Sequence, residues 1–324
     1  VRAVVVDRLM DPSEVTVRET DAPRAGAGEV EIEVRAAGCN FSDVLMLRGG
    51  YQVKPELPFV PGREAAGVVV AVGDGVTEVA PGDRVLAFTN LGAFAERVVV
   101  PVADVHPMPD AMSFEHGAAI PVVYPTAHAA LVDRAAIREG ETLLVHAAAG
   151  ATGLATVQIG RALGARVIAT AGGADKVAVA RKAGADVAID YREDDFVAKV
   201  LEVTGGRGAD VIVDPVGGDT TDRSLKCIAW KGRLVIVGFA GGRIAEIRAN
   251  RVMLKNVAVV GLHWPAYAEH EPETVRRVFA DLMALYARGG IEPWIHATLP
   301  LHEAAAALTA LDERRTVGKV LLVP

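Results

Sequence analysis

The sequence predicts an α/β chain in which a doubly wound parallel sheet is inserted into a mainly β domain. Three observations carry that expectation. Residues 142–165 read as an apolar strand, TLLVHAAA, a glycine turn at Gly150 and Gly153, and a helix, LATVQIGRALGA. Five more short apolar runs follow: ARVIATA (165–171), VAIDY (187–191), ADVIVDPVG (209–217), GRLVIVGF (232–239) and VAVVGL (257–262). Helical or glycine-rich segments such as DKVAVARKAGA (175–185) separate them. Short β-branched runs alternating with helices mark strands buried on both faces of a parallel sheet. The first 120 residues, by contrast, show no such alternation.

In that first stretch VRAVVV, EVEIEVRAAG (29–38), AAGVVVAVG (65–73), DRVLAF (83–88) and FAERVVVP (94–101) read as strands. Turns such as Pro81-Gly82-Asp83 punctuate them, which predicts a mainly antiparallel domain, a distorted barrel. The tail, LPLHEAAAALTALDERRTVGKVLLVP, offers a helix and a final strand expected to return to the first domain. The expected division is 1–121 with 265–324 for the β domain and 122–264 for the inserted domain.

Composition fits an ordinary soluble protein with room for two cores in its 324 residues. A net charge of −7 and a pI near 5.7 argue against general binding to nucleic acid or to an anionic membrane surface. No run of about eighteen apolar residues occurs, and the N-terminal VRAVVVDRL reads as a strand, not a signal sequence. Two cysteines, Cys39 and Cys227, supply no disulfide framework, so a cytoplasmic location is expected and both thiols read as small buried hydrophobes. His146 and His263, lone histidines in apolar runs, read as satisfied core residues.

The strand–glycine–helix order at 142–165 is how a parallel sheet presents a pyrophosphate site. Backbone N–H groups and the positive end of the helix point at the anion, and glycine lets it approach the main chain. Gly150 and Gly153 stand at the later glycines of the usual G-x-G-x-x-G, whose first position is alanine here, giving A-x-x-G-x-x-G from Ala147 to Gly153. At the end of the next strand, where an acid would hold a ribose 2′-hydroxyl, stand Ala171-Gly172-Gly173, followed by Lys176. A small tip with a cation beyond it admits a 2′-phosphate, so NADPH is favoured over NADH. Lys176 as an ordinary solvated helix residue, beside Asp175, is the competing reading.

These motifs together resemble the medium-chain dehydrogenase/reductases, and within them the zinc-free quinone oxidoreductases related to zeta-crystallin. GCNFSDVLMLRGGY (38–51), LPFVPGREAAGVV (57–69), APGDRV (80–85), HAAAGATGLATVQIGRALGA (146–165) and the closing GKVLLVP carry the resemblance over essentially the whole chain. It implies a Rossmann cofactor domain inserted in a GroES-like barrel domain. Zinc-dependent relatives place Cys and His where this chain has Asn40 and Arg63. Asp43 and Glu64 alone make a poor zinc site, Cys39 lies one residue early in a strand-like stretch, and two cysteines cannot form a four-cysteine lobe. No metal is expected. Without a Lewis acid, the reaction implied is hydride transfer from NADPH to an acceptor that delocalises the charge, a quinone or conjugated enone.

The resemblance also assigns residues. Asn40 would lie near the nicotinamide and the acceptor carbonyl as an amide donor, or else be a turn residue. Tyr51 would donate a hydrogen bond or proton, and Leu45 replaces a second tyrosine of bacterial relatives. Arg63 would touch substrate, or pair with Glu64 or Asp43 structurally. Thr126 would contact the nicotinamide side, or cap a helix. Ala151 and Thr152, with Gly150 and Gly153, would cradle the pyrophosphate. Gly172, Gly173, Lys176 and Tyr191 would surround the 2′-phosphate, although Tyr191 also reads as a core aromatic. Gly238 and Phe239, at a strand end, are expected cofactor neighbours, and Arg314, with Arg315 as its alternative, a phosphate contact.

A homodimer through the apolar edge strand at 257–264 is expected, because such an edge is a pairing surface. Two other functions stay open. The same scaffold could reduce enoyl thioesters or alkenals. A structural or RNA-binding role of the zeta-crystallin type is disfavoured by the negative charge and the lack of a basic, aromatic-lined stripe.

Overall fold

The protein, described here from a computed structural model over residues 1–52 and 54–324, divides into two units, Val1–Val122 with Pro293–Pro324 and Val123–Glu292. The first unit opens with a small antiparallel pair, β1 (Arg2–Val4) and β2 (Val17–Glu19). Its main sheet contains β3 (Glu29–Cys39), β4 (Glu64–Val72), β5 (Arg84–Phe88), β6 (Arg97–Pro101) and β7 (Val105–Pro107). Every neighbouring pair among these five is antiparallel, as the texture of the sequence predicts. β3 changes register against β4 between Glu31 and Ile32 and again between Val34 and Ala36. Such bulges bend a strand and raise its twist. β3 pairs β6 through Glu29–Glu33, which leaves its last residues for another partner.

The second unit holds β8 (Thr142–Val145), β9 (Arg166–Ala171), β10 (Val187–Asp190), β11 (Ala209–Asp214), β12 (Ile228–Ile236) and β13 (Ala258–Gly261). All neighbours run parallel in the order β10-β9-β8-β11-β12-β13. This is the doubly wound 3-2-1-4-5-6 order, whose direction reverses between β8 and β11. Leu144, Ile168, Ile212 and Leu234, from four adjacent strands, lie fully buried in one core cluster. β13 forms the edge, with Ala258 and Gly261 exposed.

The chain then supplies the first unit's remaining strands, β14 (Ile295–Pro300) and β15 (Lys319–Val323). β15 pairs antiparallel with the end of β3, Val320 opposite Cys39 and Leu322 opposite Ala37. The return of the tail is therefore as expected, but its start is later. Residues 265–292 stay with the second unit, because the helix Pro272–Ala287 packs on the helix Val123–His128. β14, half-exposed and not separately expected, pairs parallel with β15.

Cys39 closes β3, and the helix Phe41–Leu47 follows at once, because the Asp43 carboxylate accepts the Asn40 backbone N–H at 2.7 Å and closes the helix start. One local expectation is corrected. His263 is exposed and not in the core. His146 is buried, with Nδ1 2.9 Å from Thr170 Oγ1 and Nε2 2.8 Å from Ser224 Oγ. Among the described residues no helix is long and apolar enough to cross a membrane.

Candidate active site and cofactor cradle

In the second unit, a run of glycines gathers at the carboxyl ends of the strands. The chain leaves β8, passes Ala147 in the left-handed region (φ 48°), and starts the helix Ala151–Ala162 with Gly150 as its cap. A side chain at Gly153 would collide with the Ala147 carbonyl oxygen, and its Cβ would come within 2.6 Å of Ala148 Cα. Only glycine permits this packing. The first-turn N–H groups of Ala151, Thr152 and Gly153 have no intrahelical acceptor, so they form a donor set at the positive end of the helix. No acidic residue occupies that turn. This cradle suits a pyrophosphate and would be filled by any Cβ at 153.

Next to it, Gly172 and Gly173 follow β9. The Asp190 carboxylate accepts both the Gly173 and the Arg192 backbone N–H at 3.0 Å, and these bonds hold its acid below the usual carboxylate range. The loop is thereby pinned so that Tyr191 and Arg192 lie over the glycines. A Cβ on Gly172 would stand 2.6 Å from Tyr191 Oη and 3.1 Å from Arg192 Nε. Tyr191 is 52% exposed, which removes the core-aromatic reading. Arg192, which the sequence does not single out, lies beyond the strand end. The neighbouring pair Tyr-Arg after VAID was the available signal.

β11 and β12 contribute the other wall. Buried Asp214 accepts from Val216 N at 2.8 Å, Gly217 N at 3.1 Å and Thr221 Oγ1 at 2.5 Å, fixing the turn after β11. The loop after β12 is tied to it by Ala240 N to Pro215 O and Gly241 N to Val216 O. That places Gly238 against Pro215 and the Phe239 ring against Gly217. Thr126 sits fourth in the helix Val123–His128, inside the helix and not at its cap. That helix packs on Ala151–Ala162. Arg314 lies in the first unit, exposed and with φ 56° in the turn after the helix Ala304–Asp312.

The first unit builds a polar cluster where β3, β4 and β15 meet. Asn40 (7% exposed), Asp43 (0%), Arg63 (5%), Glu64 (0%) and Lys319 (2%) are all buried. Lys319 Nζ forms an ion pair with Glu64 Oε1 and donates to Asn40 Oδ1 at 2.7 Å. Asn40 Nδ2 donates to Glu64 Oε1 at 2.8 Å and makes a longer contact, 3.3 Å, to the Gly38 carbonyl oxygen. Glu64 Oε2 accepts the Val122 N–H at 2.8 Å. Gly38 is required, since a Cβ there would strike Glu64 and stand 2.6 Å from Ala118 O.

Arg63 forms no ion pair with Asp43 or Glu64. Its Nη1 donates to Tyr51 Oη at 2.8 Å and reaches Ser42 Oγ at 3.5 Å, and its guanidinium lies over the Tyr51 and Phe88 rings at 5.2 and 5.3 Å. Among the described residues Asp43 Oδ1 has no hydrogen-bond partner, and burial pushes its acid up to about 7 against the opposing pull of the Asn40 N–H and Arg63. Burial also pushes the Cys39 thiol far up, in keeping with an inert buried side chain. The donor set does not fit zinc. Asn40 and Arg63 replace soft or imidazole ligands, and the Glu64 carboxylate is already engaged by an ammonium.

Comparison with known proteins agrees with both units. Residues 26–110 match the alcohol dehydrogenase GroES-like domain, and residues 151–283 match the family described as zinc-binding dehydrogenase. Quinone oxidoreductase-like protein 2 homolog of Nematostella vectensis is 39% identical over 324 residues, covering 99% of this chain and 88% of that protein. The human synaptic vesicle membrane protein VAT-1 homolog is 34% identical, covering 97% and 84%. Among solved structures, Escherichia coli quinone oxidoreductase complexed with NADPH superposes with a TM-score of 0.94 at 33% identity, covering both chains fully. With its two family matches, its full-length relatives and its strand order, the chain belongs to the quinone oxidoreductase branch of the medium-chain dehydrogenase/reductases.

Proposed function

We propose that the protein is an NADPH-dependent, metal-independent reductase of quinones and related conjugated carbonyls. The observation that carries this reading is the Arg63–Tyr51 hydrogen bond of 2.8 Å. A guanidinium can only donate, so the Tyr51 oxygen accepts and its own O–H is left to donate outward. A phenol made a stronger donor by a neighbouring cation is suited to an oxyanion developing on an acceptor carbonyl. Asn40 supplies a second donor through its amide. The cofactor-binding residues are Gly150, Ala151, Thr152 and Gly153 for the pyrophosphate, and Gly172, Gly173, Lys176, Tyr191 and Arg192 for the 2′-phosphate. Thr126, Gly238, Phe239 and Arg314 are further contacts. When bound, NADPH supplies the hydride. The chain's own task is to orient the acceptor and hold or deliver the proton at the oxygen.

The test is NADPH oxidation against para-benzoquinone, phenanthrenequinone, an alkenal and a short enoyl thioester, with EDTA present. Quinone turnover that survives EDTA supports the reading. Turnover of the alkenal or thioester alone moves the substrate class and retains the donors. For Tyr51→Phe, kcat for the quinone should fall about 10–100-fold with NADPH affinity unchanged. An unchanged kcat would remove Tyr51 from the mechanism.

A further inference from the structure

We propose that Lys319 is a positioning residue for reduction: its buried ammonium sets which end of the Asn40 carboxamide faces the acceptor. The proposal rests on the reading of Asn40 as an acceptor-carbonyl donor.

A carboxamide can flip, exchanging its oxygen for its NH2 with little change of shape. Here both ends are decided by partners of opposite kind. Lys319 Nζ can only donate, so the group 2.7 Å away is Oδ1. A carboxylate can only accept, so the group 2.8 Å from Glu64 Oε1 is Nδ2. With one Nδ2 hydrogen given to Glu64, the second is held only by the long 3.3 Å contact to Gly38 O. That second hydrogen is the one an acceptor oxygen can win. The ammonium on Oδ1 also draws charge from the amide and strengthens this donor.

The cost of the arrangement argues that it has a use beyond cohesion. An ion pair buried at 2% and 0% exposure is seldom better for stability than apolar residues of the same volume. Nor does the local structure need it. Asn40 caps its helix through its backbone, the Asp43 carboxylate accepting the Asn40 N–H, so the Asn40 side chain is spared for Lys319 and Glu64. β15 brings Lys319 to this spot because Val320 lies opposite Cys39.

The experiment uses the full chain and phenanthrenequinone. Lys319→Met alone would strand the Glu64 charge and could unfold the protein, so the pair Lys319→Met with Glu64→Gln removes both charges together. It is compared with Asn40→Ala, with the triple variant, and with Lys319→Arg, which keeps the cation. The expected result is a kcat about 100-fold lower in the neutral pair, with quinone KM and NADPH affinity little changed. The triple variant should be no slower than Asn40→Ala, because Lys319 acts through Asn40. Lys319→Arg should turn over faster than the neutral pair. A wild-type kcat in the neutral pair, or losses that multiply in the triple variant, would overturn the proposal while leaving Asn40 as a donor. A wild-type kcat for Asn40→Ala would remove that donor reading and the proposal with it.

Discussion

At the level of single residues, Asp43 and His146 pull stability in opposite directions with pH. Asp43 has its folded acid raised from 3.8 to about 7 by burial, so the folded state holds a proton that the unfolded state has released. Its contribution is present at low pH and is lost as pH rises through that interval. Burial pushes His146 down to about 4 from 6.5, so its contribution is present above 6.5 and is lost as pH falls toward 4. Asp43→Asn keeps an acceptor for the Asn40 N–H but cannot ionise. Its melting temperature relative to the parent protein should therefore be higher at about pH 8 than at about pH 4. A pH-independent difference would show that Asp43 is ionised throughout. Arg192, lying against Gly172 and Gly173, should matter only to the 2′-phosphate. Arg192→Ala should raise KM for NADPH about 10-fold or more and leave NADH turnover unchanged, as steady-state kinetics with both cofactors would show.

At the level of elements, the turn after β8 carries a strain that is open to test. Ala147 stands at φ 48°, in the left-handed region that favours glycine. Left-handed backbone costs alanine about 1–2 kcal/mol, whereas glycine forfeits about 0.5–1 kcal/mol of unfolded-chain entropy. Ala147→Gly should thus stabilise the protein by about 0.5–1 kcal/mol in urea unfolding, provided pyrophosphate binding does not depend on the alanine. The six parallel strands were legible because each is a short apolar run, buried on both faces in the centre of the sheet, and the antiparallel ones because their apolar residues recur in short runs between turns. The half-exposed β14 lacked that signal. The family resemblance nominates Asn40, Tyr51 and Arg63, but not the partners they take. Nothing local to Arg63 says that it will choose Tyr51 over the adjacent Glu64, and Lys319 lies 279 positions from Asn40. The second domain junction is hidden for the same reason, since an amphipathic helix at 272–287 does not announce which core it will cover.

At the level of the whole molecule, β13 is an edge strand, and pairing with a second copy would complete its ladder. Sedimentation should give about twice the 33.9 kDa chain mass at micromolar concentration. A single 33.9 kDa species throughout would leave that edge unpaired. The first unit's core draws on both flanks of the second, with Leu301, Leu308, Val320 and Leu322 joining Val30, Ile32 and Val85. Joining Lys319 to Asn40 and Glu64 has a consequence for biogenesis. During translation at about 5–20 residues per second, the 279 positions between Asn40 and Lys319 take on the order of 15–55 s to emerge. Throughout that interval Glu64 lacks its countercharge and β3 lacks β15, while residues 123–292 are contiguous and can close first. The segment that precedes residue 123 is therefore completed after the one that follows it, and for about 15–55 s it is a natural client for chaperones.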